Sequence, residues 1–244
     1  MVSSVGTTTS STSLLSQAIS AAKSNAATNY SAASNATTSS SSSSSLSSLG
    51  GNFNQFLTLL TTQLQHQDPS NPTSTDSFTA ELAQFAGVQQ QVETNTNLAS
   101  LISATQDNQM ASAVSLIGKT TTASTSSLPL QNGGASLSFT APQTGEVAIA
   151  ITDNKGTVVR SQTVDASVGT NTWTWDGKNN AGTQLSDGGY TVAVEGSSTD
   201  GTSVVLPTTV TGTVTGVSKG NSGVNIDMGG ATIGMSDLTG FSGT

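Results

Sequence analysis

Cysteine is absent from this 244-residue sequence, so it has neither a disulfide framework nor a thiolate site. Charge is scarce: Asp and Glu together number 14 and Lys and Arg 6, for a formal net charge of −8. Arg160 is the only arginine and the five lysines form no stripe, which argues against nucleic acid as a partner. No apolar run approaches the ~18 residues of a membrane helix, so no membrane insertion is expected. The N-terminus offers no basic segment followed by an apolar one, and no cleavable secretory signal is read there. Yet abundant Ser, Thr, Asn, Gln and Gly with so little charge suggests a surface that lives outside the cell or inside a polymer. The two readings together call for an export route without a cleaved signal.

Catalytic side chains are also missing. His66 is the only histidine, so a Ser-His-Asp triad would have to use it, and a zinc site would need several carboxylates in place of His and Cys. No GxSxG, P-loop or GxGxxG pattern occurs. The segment Asp176–Gly182 comes nearest to a calcium loop and fails, because Lys178 stands where an oxygen ligand belongs and no glutamate closes the site. Asp187, Asp200, Asp227 and Asp237 sit in turn-like contexts, where backbone capping accounts for them. The expectation is a protein that is not an enzyme, with no catalytic residue, cofactor or metal site.

What is present begins after residue 50. Residues 1–50 are dominated by Ser, Thr, Ala and Asn and end in a serine run, a composition too poor in apolar area to offset the entropy of folding, so they are expected to be disordered. Phe53, Phe56, Leu57, Leu60 and Leu64 then fall on one face of a helix. Asp68-Pro69 and Asn71-Pro72 break it, since each proline lacks an N–H and pushes the residue before it out of the helical region. Phe78, Leu82, Phe85, Val88 and Val92 restart a stripe, with Thr75 or Asp76 placed to cap it. Burying the first stripe is worth about 8 to 15 kcal/mol gross, which favours a partner molecule over the alternative of packing on its own domain. The proline-free stretch to Ile117 predicts one or two long helices, with a kink or break at Thr94–Asn97, where four poor helix formers follow one another.

Beyond Gly118 the period changes to two. Val147, Ile149 and Ile151 alternate with Ala148, Ala150 and Thr152, and Asp153–Gly156 is a hairpin turn into Thr157–Arg160. Thr172–Trp175 and Tyr190–Val194 read as two further strands. Short strands between Gly-rich turns predict a sandwich of immunoglobulin or fibronectin III kind over 135–197. The strands on either side of it in sequence predict a small barrel that the sandwich interrupts.

Several of these segments resemble one family. Phe56–Leu60, Gln63-Leu64, Gln67-Asp68-Pro69, Asn71-Pro72 and Glu81–Phe85 look like the hook-capping (FlgD) proteins of bacterial flagella, also called basal-body rod modification proteins. Asp153–Gly156, Val158–Arg160, Trp175–Gly177, Gly189-Tyr190 and Leu116–Gly118 are similar to the β part of that family. The resemblance implies a scaffold at the distal tip of the growing hook, a pentameric homo-oligomer under which hook-protein subunits polymerise. It also implies export from the cytoplasm by the flagellar type III system, with a Phe-x-x-x-aliphatic motif docking on the export gate. Phe56 and Leu60 match that motif, and Phe53 and Leu57 match it in a second register. Phe53, Leu57, Leu64, Phe78, Leu82 and Phe85 would form the assembly face.

The expected organisation is a mainly β C-terminal part with an α-helical N-terminal assembly region. Residues 1–50 are a disordered lead, 51–117 a helical export and assembly region, 118–134 plus 198–244 a small tudor-like barrel, and 135–197 a fibronectin III/Ig-like sandwich. A second reading is an extracellular adhesive or carbohydrate-binding β-sandwich with a helical oligomerisation stalk. It rests on Trp173 and Trp175, two apart on one strand.

Overall fold

The computed structural model describes residues 11–34, 75–220 and 223–242, with the backbone alone for 30–34, 75–82, 85 and 242. Its strands are β1 (Thr120–Ser124), β2 (Ser127–Leu130), β3 (Ala135–Ala141), β4 (Gly145–Thr152), β5 (Val158–Ala166), β6 (Gly169–Trp175), β7 (Gly188–Ser197), β8 (Ser203–Val205), β9 (Thr208–Thr213), β10 (Gly216–Gly220), β11 (Gly223–Met228), β12 (Ala231–Gly234) and β13 (Leu238–Ser242). One sheet has the order β13, β1, β9, β3, β6; a second has β2, β7, β4, β5, with β8 added on β7; and β10, β11 and β12 form a meander. The first two sheets enclose a shared core. Leu137, Phe139, Trp175 and Val210 of one pack in the same cluster as Leu128, Val147, Ile149, Ile151, Val192 and Val194 of the other.

Period-two alternation produces this arrangement, since successive side chains on a strand point to opposite faces. The chain is a mostly β protein with an Ig-like sandwich, as its sequence predicts. The hairpin between β4 and β5 closes on Asp153, whose Oδ1 accepts the amides of Lys155 at 2.9 Å and Thr157 at 2.8 Å. A second tight turn joins β2 to β3, with Asn132 and Gly133 both at positive φ. That Asn-Gly pair is the residue type a type I′ hairpin turn demands.

Hydrogen bonds cross both of the boundaries expected for the sandwich. β2, placed by the sequence in the barrel half, pairs with β7, from Ser127 opposite Thr191 to Leu130 opposite Gly188. β9, likewise placed in the barrel half, pairs with β3 on one edge and with β1 on the other. The strands expected to form the barrel are therefore divided three ways: β13, β1 and β9 in the five-stranded sheet, β2 and β8 on β7 in the second sheet, and β10, β11 and β12 in the meander. Val210, Val214, Val224, Ile226, Met228 and Ile233 pack between them, and the buried Thr121 hydroxyl donates to Met228 Sδ at 3.9 Å.

Two expectations about the helices are corrected. Ser11–Ser34, within the segment expected to be disordered, forms helix α1. Leu14, Ala18 and Ala22 on α1 pack against Ala148, Ala150 and Ala193 on the outward face of β4 and β7. Composition alone misses it because the docking row is mostly alanine, which adds little hydrophobicity but fits closely on small partners. The second correction concerns helix α2 (Thr75–Ala113), which runs for 39 residues without the break expected at Thr94–Asn97. The hydroxyls that compete for the backbone are absorbed by the helix itself: Thr94 Oγ1 donates to Gln90 O at 2.8 Å and Thr96 Oγ1 to Val92 O at 2.9 Å. Met110 and Ala113, in the last turns of α2, pack with the β core, and a 3-10 turn at Val114–Leu116 leads into β1.

The meander is held to the sandwich by a glycine contact. A Cβ placed on Gly189 would lie 2.5 Å from the carbonyl oxygen of Gly230, which itself has φ +96°. Only glycine lets the two backbones come this close. Gly189→Ala should lower stability by roughly 1 to 3 kcal/mol, the usual cost of overpacking, in a denaturant titration. Gly145→Ala, which meets nothing within 4 Å, is the control expected to be near neutral.

Candidate functional site

The most apolar uncovered surface among the described residues runs along α2. Val88, Val92, Leu98 and Ile102 share a face with Met110 and Ala113, all within about 120° of one another on a 3.6-residue helix. Ala113 is fully buried, whereas Leu98 is 52% and Ile102 59% exposed, with Leu101 beside them at 63%. The C-terminal end of the row is thus covered by this chain, Val92 is half-buried, and Val88, Leu98 and Ile102 are open to solvent. A row of large aliphatic side chains on a helix is a site for a partner rather than for chemistry.

Of the residues predicted to serve assembly and export, Phe78, Leu82 and Phe85 lie on α2 by backbone position. Phe53, Phe56, Leu57, Leu60 and Leu64, the break residues Asp68, Pro69, Asn71 and Pro72, and His66 lie outside the described residues.

Several carboxylates of the β part are engaged in turns. Asp187 accepts the amides of Asn132 at 2.7 Å and Gly133 at 2.9 Å, and so clamps the β2–β3 turn from across the sheet. Asp176 accepts the Lys178 amide, and Asn179 Oδ1 accepts those of Ala181 and Thr183, which makes Asp176–Gly182 a capped turn. No group of three His, Cys, Asp or Glu side chains converges among the described residues. An open groove of about 460 Å³ is lined by Asn29, Asn154, Tyr190, Asn225 and Thr232 among others, amides and hydroxyls without a nucleophile and base in contact.

The tryptophan pair is not a sugar platform. Trp175 is 2% exposed, meets Tyr190 edge to face with ring centroids 5.1 Å apart, and donates its Nε1–H to Lys178 O at 2.9 Å. Trp173 packs against the same core. Burial, with Asp153 and then Asp187 adding repulsion, pushes the Tyr190 phenol above its ordinary pKa, and its hydroxyl donates to Ser186 O at 2.8 Å.

Comparison with known proteins decides what these surfaces belong to. Residues 24–100 match the family described as flagellar hook capping protein, N-terminal region, and residues 124–200 match the FlgD Ig-like domain. The basal-body rod modification protein FlgD of Salmonella typhimurium is 32% identical over 186 residues, 72% of this chain and 80% of that protein. The chain belongs to the FlgD family. The FlgD of Escherichia coli is related to it to the same extent, at 32% over 186 residues. Similar solved structures include FlgD from Xanthomonas campestris, whose hook capping is described as essential for flagellar assembly, at 26% identity and a TM-score of 0.46 over 55% of this chain and 99% of that one. FlgD from P. aeruginosa is 23% identical with a TM-score of 0.44, over 52% and 98%. The FlgD family signals in this chain therefore cover both the helical N-terminal region and the sandwich.

Sequence reading passed over three features of the site region. The Asn132-Gly133 turn was legible as a hairpin signal, and the outward Ala148, Ala150 and Ala193 row was legible as small apolar residues where a solvated face carries polar ones. Glu195, on the same outward row and 5% exposed, is a third. Burial raises its carboxyl above the ordinary 4.5, against the lowering effect of the Ser203 hydroxyl, which donates to Oε2 at 3.0 Å. A raised carboxyl means that the folded state holds the proton more tightly than the unfolded chain, so Glu195 costs stability progressively as pH rises from 4.5 through its folded pKa. Glu195→Gln, which keeps an acceptor for Ser203, should therefore raise the melting temperature at neutral pH and have little effect below 4.5. Thermal melts across that range check it.

Proposed function

We propose that this chain is the cap scaffold of the growing bacterial flagellar hook, working at its distal tip as a homo-oligomer, with the pentamer implied by its family, and promoting polymerisation of hook-protein subunits. The observation that carries this reading is the uncovered apolar row on α2, which begins inside the segment matched to the hook-capping N-terminal region. A scaffold needs such a row; an enzyme does not, and the role is structural rather than catalytic. Side chains at Val88, Leu98 and Ile102, 45 to 59% exposed, complete their burial only when other copies or hook protein cover them. Full burial of such a side chain is worth roughly 1.5 to 3 kcal/mol, so covering the half still open on these three adds roughly 2 to 5 kcal/mol per copy, repeated around a ring. The β sandwich, with its turns closed by their own carboxylates, is the rigid part of the cap.

Export belongs to the same reading. The chain reaches the flagellum through the type III system, and its Phe-x-x-x-Leu motif docks on the export gate, in the register Phe56 with Leu60 or the register Phe53 with Leu57. Phe and Leu four apart stand side by side on a helix and suit a small apolar groove.

A strain lacking this chain should make rods without hooks and leak hook protein into the medium, visible by electron microscopy of basal bodies and immunoblotting; normal hooks would overturn the proposal. Leu98→Asp combined with Ile102→Asp should leave the chain exported and the far-ultraviolet circular dichroism unchanged but abolish hook growth. Phe56→Ala or Leu60→Ala should lower the amount exported if the first register docks, and Phe53→Ala or Leu57→Ala if the second does. Normal secretion of all four variants would refute the docking motif.

A further inference from the structure

We propose that α1 is a releasable latch: it is helical only while seated on the outward face of β4 and β7, and it opens without unfolding the sandwich beneath it. The first support is the division of the buried residues into two clusters. Val147, Ile149, Ile151, Val192 and Val194 point into the main core, which contains no residue of α1. Ala148, Ala150 and Ala193 point outward and form a separate cluster with Leu14, Ala18 and Ala22. The sandwich core is complete before α1 arrives.

The chemistry of the outward face is the second support. The same two strands carry Val and Ile inward but mostly Ala and Thr outward, at Ala148, Ala150, Thr152, Thr191 and Ala193, with Glu195 at the end of the row. A face meant to stay covered gains from large side chains. A methyl and hydroxyl surface instead accepts a closely fitted helix and also tolerates water when the helix leaves.

The contacts of α1 complete the argument. Its polar bonds to the sheet are long: Thr152 Oγ1 donates to Ala22 O at 3.3 Å, Asn29 Nδ2 to Thr191 Oγ1 at 3.4 Å and Asn25 Nδ2 to Val192 O at 3.5 Å. Hydrogen bonds near this limit are weak. The helix has no acidic residue in its first turn and no basic residue in its last, and it is rich in Ser, Thr and Asn. A helix of that composition does not hold its shape alone in water, so docking and folding are one event. Release therefore converts residues 11–34 from a helix held on the sandwich into a free arm, while β4 and β7 keep their ladder.

The test is hydrogen exchange on the full-length chain, comparing wild type with Ala18→Glu, which places a charge on the seated face of the helix. Amides of residues 14–26 should be protected in wild type and exchange about tenfold faster or more in the variant, with the amides of β4 and β7 unchanged. Because the chain has no cysteine, Ala18→Cys paired with Ala150→Cys or with Ala193→Cys adds the only thiols. On oxidation at least one pair should form a disulfide within one chain and protect residues 14–26. Exchange of those amides at free-peptide rates in wild type would overturn the proposal, as would a parallel rise in β4 and β7 in the Ala18→Glu variant. So would a disulfide that links two chains, or none with either partner.

Discussion

The double pairing of β9 is the constraint on which the rest of the β architecture depends. Thr208–Thr213 bonds to β1 along one edge and to β3 along the other, and Val210 from its centre is fully buried in the common core. A central strand of this kind satisfies its backbone on both sides only when segments some 70 to 90 residues away in sequence have found their places. The strands before and after the sandwich are thus hydrogen-bonded into it. Excising residues 135–197 would strip one edge of β9 and leave β2 without β7. Bare edges of that sort are templates for pairing between molecules.

The parts of this fold that were legible in the sequence are local. Val147, Ile149 and Ile151 announce a strand by their spacing, Asp153–Gly156 announces its hairpin, and the proline-free run after Thr75 announces a long helix. What escaped is non-local or chemically quiet. The second edge of β9 leaves no mark in its own residues, because pairing uses backbone groups that every sequence carries. The seat of α1 lies more than 100 residues from the helix it receives, and both are built of alanine, which periodicity detects poorly amid Ser and Thr. Thr94–Asn97 misled in the opposite sense. These residues are poor helix formers in water, yet two of the hydroxyls bond to carbonyls one turn back and the helix continues. On α2, the aliphatic row at Val88, Val92, Leu98 and Ile102 was visible from spacing, but nothing in that spacing says which part of it the chain covers for itself.

Low charge gives the molecule a particular way of holding its turns. Where many proteins place ion pairs, Asp153, Asp187 and Asn179 accept backbone amides, and Arg160 donates to the Gln162 side chain at 2.6 Å. Hydrogen bonds from amides to carboxylates are short-ranged and directional, so they define loop shape. In the proposed cap, recognition between copies would rest on apolar area and shape, which the open row on α2 supplies.

The contact between Gly189 and Gly230 has an evolutionary consequence. At this point the meander meets the sandwich main chain to main chain, beside the side-chain packing of Val224, Ile226, Met228 and Ile233. The geometry there persists only while both positions stay glycine and the buried residues beneath the meander keep their packing. Exposed positions of the meander such as Thr232 are therefore free to drift, and the outer surface can change its specificity without disturbing the angle at which it is presented.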